Sequence, residues 1–265
     1  MNKIIVVNDE ITEFNLDKKI KIETHLKQML FQINTVNLEI KESTDLFIHI
    51  DLKEISKIQF NFNLLNDVFL NLYIITTGNG GKIKYSYNLN LNSYLKVCKY
   101  NNVYDIKEMM ITNLNNENAN IDYLFKSIAR ENECYDYVIN HNAKNTNSNI
   151  KNNGVNLSGS MNIQISSVIP KGIINCKVNQ MNRIINLTKN KCEIRPILYI
   201  DESLVDANHS ALIGDFDSEE LFYLQTRGVP LKEAYNLLIR GFLFNGVDND
   251  EILTKIENSI NEYWR

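Results

Sequence analysis

Residues 193–228 read EIRPILYIDESLVDANHSALIGDFDSEELFYLQTRG. The stretch opens on a proline-led aliphatic run, Arg195-Pro196-Ile197-Leu198-Tyr199-Ile200, with strand character. A lone histidine, His209, follows, then Gly214 as a turn, then an amphipathic helix closed by Arg227-Gly228. The hydrophobic period changes here. Before it, apolar residues recur at every second position; after it, at every third or fourth. Three regions follow: a short N-terminal segment 1–43, a β body 44–215 and a helical region 216–265.

Outward toward the N-terminus, Leu46, Ile48, Ile50 and Leu52 alternate with polar partners. The same pattern holds for Ile58, Phe60, Phe62 and Leu64, for Val68, Leu70, Leu72 and Ile74, and for Ile83, Tyr85, Tyr87, Leu89 and Leu91. Strict alternation marks half-buried strands. Breaks rich in Asn, Asp, Gly and Ser separate them, including a turn at Gly78-Asn79-Gly80-Gly81. Shorter strands are predicted at 155–157, 161–165, 173–178, 184–187 and 197–200, while 119–129 reads as either a helical turn or a strand. Such a series fits a sandwich, a barrel or a β-solenoid, and periodicity does not choose among them. Within 1–43, Leu26, Leu30 and Ile33 have helical spacing, whereas Ile20 and Ile22 alternate. Asparagine is abundant, a compositional bias that also suits left-handed turns and stacked amides in β-arrays.

Toward the C-terminus, Asp217 is placed to cap a helix with Glu219 and Glu220 in its first turn and Gly228 at its end. Pro230 opens a second helix, whose apolar stripe is predicted as Ala234, Leu237, Leu238, Gly241 and Phe242. After Gly246, Asp248 and Glu251 read as the capping box of a third helix carrying Ile252, Leu253, Ile256, Ile260 and Trp264.

The 265 residues, 44% hydrophobic, suffice for one large domain with a full core. The net charge of −4 is spread among interspersed lysines and acids, which argues against a nucleic-acid stripe. The four cysteines, Cys98, Cys134, Cys176 and Cys192, form no CxxC pair. Neither a disulfide framework nor a self-held iron–sulfur cluster is expected of them, and all four are read as structural. MNKIIVVNDE has too short an apolar run for a secretory leader, and no run approaches membrane-spanning length, so a cytoplasmic, reducing location is expected. Residues 78–82 do not complete a phosphate loop, and neither GxSxG nor HExxH occurs. His209 is the candidate metal ligand, with Asp206 as the acceptor that would fix its tautomer. His49 reads as a surface strand residue and His141, in Asn140-His141-Asn142, as a solvated loop residue; His25 has no informative context.

Four motifs combine into a resemblance. They are Asn179-Gln180-Met181-Asn182-Arg183 with its aliphatic continuation, the Pro196 strand, Val205 through Gly214, and Leu221-Phe222-Tyr223-Leu224-Gln225-Thr226-Arg227-Gly228. Over roughly residues 135–246 the chain resembles the SufB/SufD family, scaffold subunits of the Suf iron–sulfur cluster assembly machine. Ser210 follows the histidine where SufB-like chains carry Glu, and Met181 stands where they carry a catalytic Cys, so the resemblance is closer to SufD. Ala207 replaces a Cys that SufD-like chains often have two residues before the histidine.

The resemblance implies a mainly β protein: a right-handed parallel β-helix body with a C-terminal helical tail. It implies a non-catalytic subunit that pairs with a SufB-like subunit through the last strands of the body and docks a SufC-like ABC ATPase on its helices. Leu221, Phe222, Tyr223, Arg227, Gly228, Leu237, Leu238 and Phe242 are the expected partner-binding residues, and His209 the expected metal ligand. No cofactor is expected to be held stably; iron or a nascent cluster would be met transiently at the SufB interface. The N-terminal helical domain common in the family is not expected within the first 43 residues. Two other readings carry different expectations: a degenerate SufB-like homodimeric scaffold, and a β-helix carbohydrate-active enzyme. No nucleic-acid or membrane partner is expected.

Overall fold

The computed structural model describes residues 2–25, 34–53 and 56–263. Among these the strands are β1 (Asn2–Val7), β2 (Glu10–Asn15), β3 (Ile20–His25), β4 (Asn34–Ile40), β5 (Thr44–Leu52), β6 (Ser56–Leu64), β7 (Phe69–Leu89), β8 (Tyr94–Leu114), β9 (Asn120–Ala129), β10 (Asn132–His141), β11 (Asn147–Asn156), β12 (Ser160–Ile169), β13 (Lys177–Asn186), β14 (Cys192–Ile200) and β15 (Asp206–Gly214). Helices α1 (Ser218–Thr226), α2 (Leu231–Phe244) and α3 (Asp250–Tyr263) follow.

The body is a β-solenoid of about 7 turns. One wall runs β1-β5-β7-β8-β9-β11-β13-β15 and the other β4-β6-β7-β8-β10-β12-β14, all paired in parallel. Strands β7 and β8 are long enough to line both walls. At the N-terminal end, β2 and β3 add antiparallel to β1 and β4. Strand pairing therefore begins well before residue 44, where the sequence reading starts the body. Leu26, Leu30, Ile33 and Trp264 lie outside the described residues.

Parallel pairing stacks each position on its equivalent one turn later. One inward column runs Leu46, Leu72, Val97, Tyr123, Ile150, Gln180 and His209. The aliphatic and aromatic columns form the core, with Phe60 on Tyr85 and Phe62 on Tyr87 at ring-centroid distances of 5.7 and 5.1 Å. At one corner Asp67, Asn92, Asn118, Asn145 and Asn175 all adopt positive φ between 53° and 59°. Asn and Asp tolerate this left-handed geometry better than other side chains. Their side chains also bond along the column: Asn92 Nδ2 donates to Asp67 Oδ1 at 2.8 Å and Asn118 Nδ2 to Asn92 Oδ1 at 2.8 Å. Flat-wall ladders, such as Asn88–Asn113–Asn140, join residues one turn apart in the same way. The asparagine bias is thus used structurally.

Several inward positions are polar. Lys99 and Glu108 form a fully buried ion pair facing each other across the core. Tyr137 Oη donates to Glu108 Oε1 at 2.9 Å, and Lys99 Nζ lies 4.2 Å from the Tyr85 ring centroid. Nearby, Glu133 Oε2 accepts from Ser127 Oγ at 2.6 Å and Tyr135 Oη at 2.8 Å. Burial still outweighs those bonds and pushes the Glu133 carboxyl up to about 7. These polar inward residues break the alternation through 94–156 and hide β8, β10 and β11 from periodicity. The stretch ambiguous in sequence forms β9, Asn120–Ala129, and Gly214, read as a turn, is the last residue of strand β15. His141 is fully buried, not solvated: Thr146 Oγ1 and Ser148 Oγ lie 2.8 and 3.0 Å from its two ring nitrogens, and burial lowers its pKa to about 4.

Replacing Asn118 by Ala removes a ladder bond and puts a Cβ-bearing residue without a polar tip in the left-handed corner. Urea titration is expected to show a loss of about 1–2 kcal/mol, with Asn118→Gly recovering the backbone share. For Glu133 the folded-state pKa lies above the unfolded one, so its contribution to stability is lost as pH rises from about 4.5 to about 7. Glu133→Gln keeps both acceptor bonds and is expected to stabilise the protein above pH 7 by roughly 1–3 kcal/mol, with little effect at pH 4. Urea midpoints at the two pH values check the sign.

Candidate functional site

The two ends of the solenoid differ. At the N-terminal end the outermost strands β2 and β3 carry Glu10, Glu13, Lys21 and Glu23, charges that discourage further strand pairing. At the C-terminal end, among the described residues, β14 pairs only with β12 and β15 only with β13, which leaves two parallel edges side by side. Pro196 is tolerated in β14 because the strand is an edge. Strand β15 reads DANHSALIG, with one acid, one histidine and otherwise small, apolar or neutral residues. Leu212 and Ile213 are exposed on it.

His209 sits on this last strand in register with Gln180. It continues a column that is buried at every turn from Leu46 to Gln180, yet it is itself exposed because no further turn covers it. Beneath it, Gln180 Nε2 donates to Ser167 Oγ at 2.9 Å, while the buried Gln180 Oε1 has no partner. Asp206 is not the second partner of His209. The two are three positions apart on one strand, so their side chains leave opposite faces, and the Asp206 carboxylate accepts from Asn208 Nδ2 at 3.1 Å. Met181 is the outward neighbour of Gln180 and pairs with Ser210. Among the described residues no three His, Cys, Asp or Glu side chains converge as a metal site.

The cysteines are free and dispersed: Cys98 and Cys176 are buried, Cys192 is partly buried and Cys134 is exposed. Burial pushes the Cys98 thiol up to about 12, far from a reactive thiolate. His49 is on the outer wall, 3.3 Å from Thr77 Oγ1, and burial lowers its pKa. His25 is exposed at the end of β3.

Helices α2 and α3 lie on the outer face of the β1–β15 wall. Ile239, Leu243, Ile252, Ile256 and Ile260 pack there with Phe47, Ile75, Tyr100, Ile128, Val155 and Ile185. The buried face of α2 is rotated from the predicted stripe: Ala234, Ile239 and Leu243 are fully covered, whereas Leu237 is exposed. Asp217 caps α1, accepting from Glu219 N at 2.9 Å, and Gly228 ends it with φ 85°. The α3 cap is Asn249, which accepts from Ile252 N, because Asp248 is drawn away to an ion pair with Lys96 on β8.

This arrangement splits the expected partner-binding residues. Leu221, Leu238 and Phe242 are partly buried against the apolar cluster shared by the helices and the wall. Phe222 is 68% exposed and Tyr223 57% exposed on α1, a helix with no buried residue, and Arg227, Gly228 and Leu237 are exposed as well. The Arg227 guanidinium lies 5.3 Å from the Tyr223 ring centroid. Two aromatics uncovered on a short helix next to the open end of the solenoid form an apolar surface of the kind that interfaces use. No helix among the described residues is long and apolar enough to cross a membrane.

Comparison with known proteins agrees with this geometry. Residues 96–242 match the family model for the SUF system FeS cluster assembly SufBD core domain, which covers more than half of the chain. A 76-residue stretch is 41% identical to the iron–sulfur cluster assembly protein SufD of Bacillus subtilis, 28% of this chain and 17% of that protein. Similarity to a SufBD family protein of Mycobacterium leprae is 38% over 79 residues, 29% of this chain and 19% of the relative. A SufBD family protein of Pyrococcus horikoshii is 32% identical over 98 residues, 34% of this chain and 22% of the relative. The matched stretches thus span about a fifth of these relatives' lengths. The family's core domain, the solenoid and the helical tail coincide in one chain, which belongs to the SufBD family of iron–sulfur cluster assembly proteins.

Proposed function

We propose that this chain is a SufD-like, non-catalytic scaffold subunit that pairs end to end with a SufB-like subunit and docks a SufC-like ATPase on its helical tail. The observation that carries the reading is the uncovered pair of parallel edges at β14 and β15, with His209 on the last strand. A second subunit presenting strand edges would satisfy the free N–H and C=O groups there and bury Leu212 and Ile213.

One imidazole does not hold iron by itself. A neutral ring at such a seam can supply a nitrogen ligand while the partner supplies thiolate or carboxylate. Iron and the nascent cluster are then cargo, met at the interface and passed on. The ATPase surface is assigned to Phe222, Tyr223, Arg227, Gly228 and Leu237, the exposed part of the expected residues. Motion of a bound ATPase would reach β15 through the short connector between Gly214 and α1.

Co-expression with SufB-like and SufC-like subunits tests the proposal. A stable three-component complex is expected. His209→Ala should leave that complex intact on size-exclusion chromatography while lowering iron and sulfide recovered after cluster reconstitution. A complex that fails to form at all, or unchanged iron loading in the variant, counts against the respective half of the proposal. Recovery of only a homodimer would favour a self-associating scaffold.

The double change Phe222→Asp and Tyr223→Asp should weaken ATPase binding by more than tenfold, as loss of an aromatic anchor does. Because α1 buries no residue, thermal stability of the isolated chain should shift little. Calorimetric titration with the purified ATPase reads the first effect and thermal unfolding the second.

A further inference from the structure

Phe242 occupies an unusual position. It lies near the end of α2, and two cations of the outer wall flank its ring: Lys126 Nζ at 5.8 Å and Arg183 Cζ at 5.3 Å from the centroid. Those cations belong to one outward column, Lys126 on β9, Asn153 on β11 and Arg183 on β13. Lys126 Nζ donates to the Phe242 carbonyl at 3.1 Å. With its amide turned to satisfy both neighbours, Asn153 accepts from Lys126 Nζ at 2.8 Å. Phe216, in the connector from β15 to α1, meets the Phe242 ring edge-on at 6.5 Å. The connector is tied to α2 a second time, by Tyr235 Oη donating to Asp215 Oδ2 at 3.0 Å. Body, connector and tail therefore meet at one side chain.

Lys126 has no carboxylate partner among the described residues. Around it stand the Cys98 thiol on β8, the Lys151 ammonium and the Asn153 amide on β11, and Arg183 on β13. From the tail it meets only the Phe242 carbonyl and ring; Asp248 is held by Lys96. Lys126 points out of the solenoid, so α2 is what covers it and strips its water. An ammonium buried without a counter-charge is costly.

We infer that seating of the C-terminal end of α2 on the body, at Phe242, is coupled to release of the proton on Lys126. Burial beneath α2 lowers the Lys126 pKa to about 8, against the ordinary lysine value that an uncovered side chain would regain. Docked and protonated states are then antagonistic. At neutral pH the end of α2 sits over a charged amine, which favours local opening there; as pH rises through 8, its docking tightens. This holds for the isolated chain and does not depend on which partner binds α1.

Amide hydrogen exchange of the full chain between pH 6.5 and 9.5, corrected for intrinsic base catalysis, tests the inference. Protection of residues 231–244, relative to peptides of β7 and β8, should rise about tenfold between pH 7 and pH 9. Lys126→Arg keeps the charge and should flatten the profile at low protection. Lys126→Met removes it and should flatten the profile at high protection. A wild-type profile that is level or falls with pH overturns the inference, as does lower α2 protection in a folded Lys126→Met variant. Should that variant not fold, the wild-type and Lys126→Arg profiles decide.

Discussion

In-register stacking of parallel turns is the constraint on which the rest of this molecule depends. Each turn satisfies its backbone N–H and C=O groups only through the turns above and below it, so a side chain must be compatible with its equivalents 24 to 30 residues away. Aliphatic columns meet this by burial and aromatic columns by stacking. Asparagine columns meet it by passing a hydrogen bond from amide to amide. At the corner the same residue also accepts the left-handed backbone that the bend requires. A single residue type thus sets both the turn and the register, and a slip by one position would break every ladder at once.

The polar interior follows from the same rule. Lys99 and Glu108 are tolerated because they face each other across the two walls, with Tyr137, Asn101 and Tyr85 completing their surroundings. A buried pair of this kind is weak evidence for stability, but removing one partner would leave an uncompensated charge. Glu133 is held by hydroxyls alone, and burial outweighs their bonds, so its carboxyl keeps its proton to a higher pH than an exposed one. The tail repeats the theme on the outer wall, where Lys126 is covered by an aromatic ring and a carbonyl instead of a carboxylate.

Stacking also makes the ends special, because only there do strands lack neighbours. The N-terminal end is blunted by antiparallel strands bearing charge, whereas the C-terminal end presents the β14 edge, whose Glu193 and Arg195 pair with each other, and the β15 edge, with Asp206 its one acid and His209 exposed. The chain turns at Asp215 and Phe216 directly from that edge into α1, whose aromatics are uncovered. An open strand edge and an uncovered aromatic pair are therefore separated by a connector of a few residues, and that connector rests on Phe242.

The sequence by itself determined the strand-rich body, the change of period near residue 216, the Asp217 and Gly228 helix boundaries and, through the motifs around Gln180, Pro196, His209 and Phe222, the family. These are local signals: an alternation, a cap, a glycine at positive φ, a run of residue types. It did not reveal β8, β10 or β11, because their inward residues include Lys99, Glu108, Glu133 and many asparagines, whose burial becomes affordable only when a partner one turn away or across the core is in place. Nor did it separate Phe222 and Tyr223, which are exposed, from Leu221 and Phe242, which pack into the apolar cluster, or show that Asp206 points away from His209. Tertiary structure decided those, since exposure and ion pairing depend on which surface of a neighbouring element arrives to cover a side chain, and that neighbour is distant in the chain.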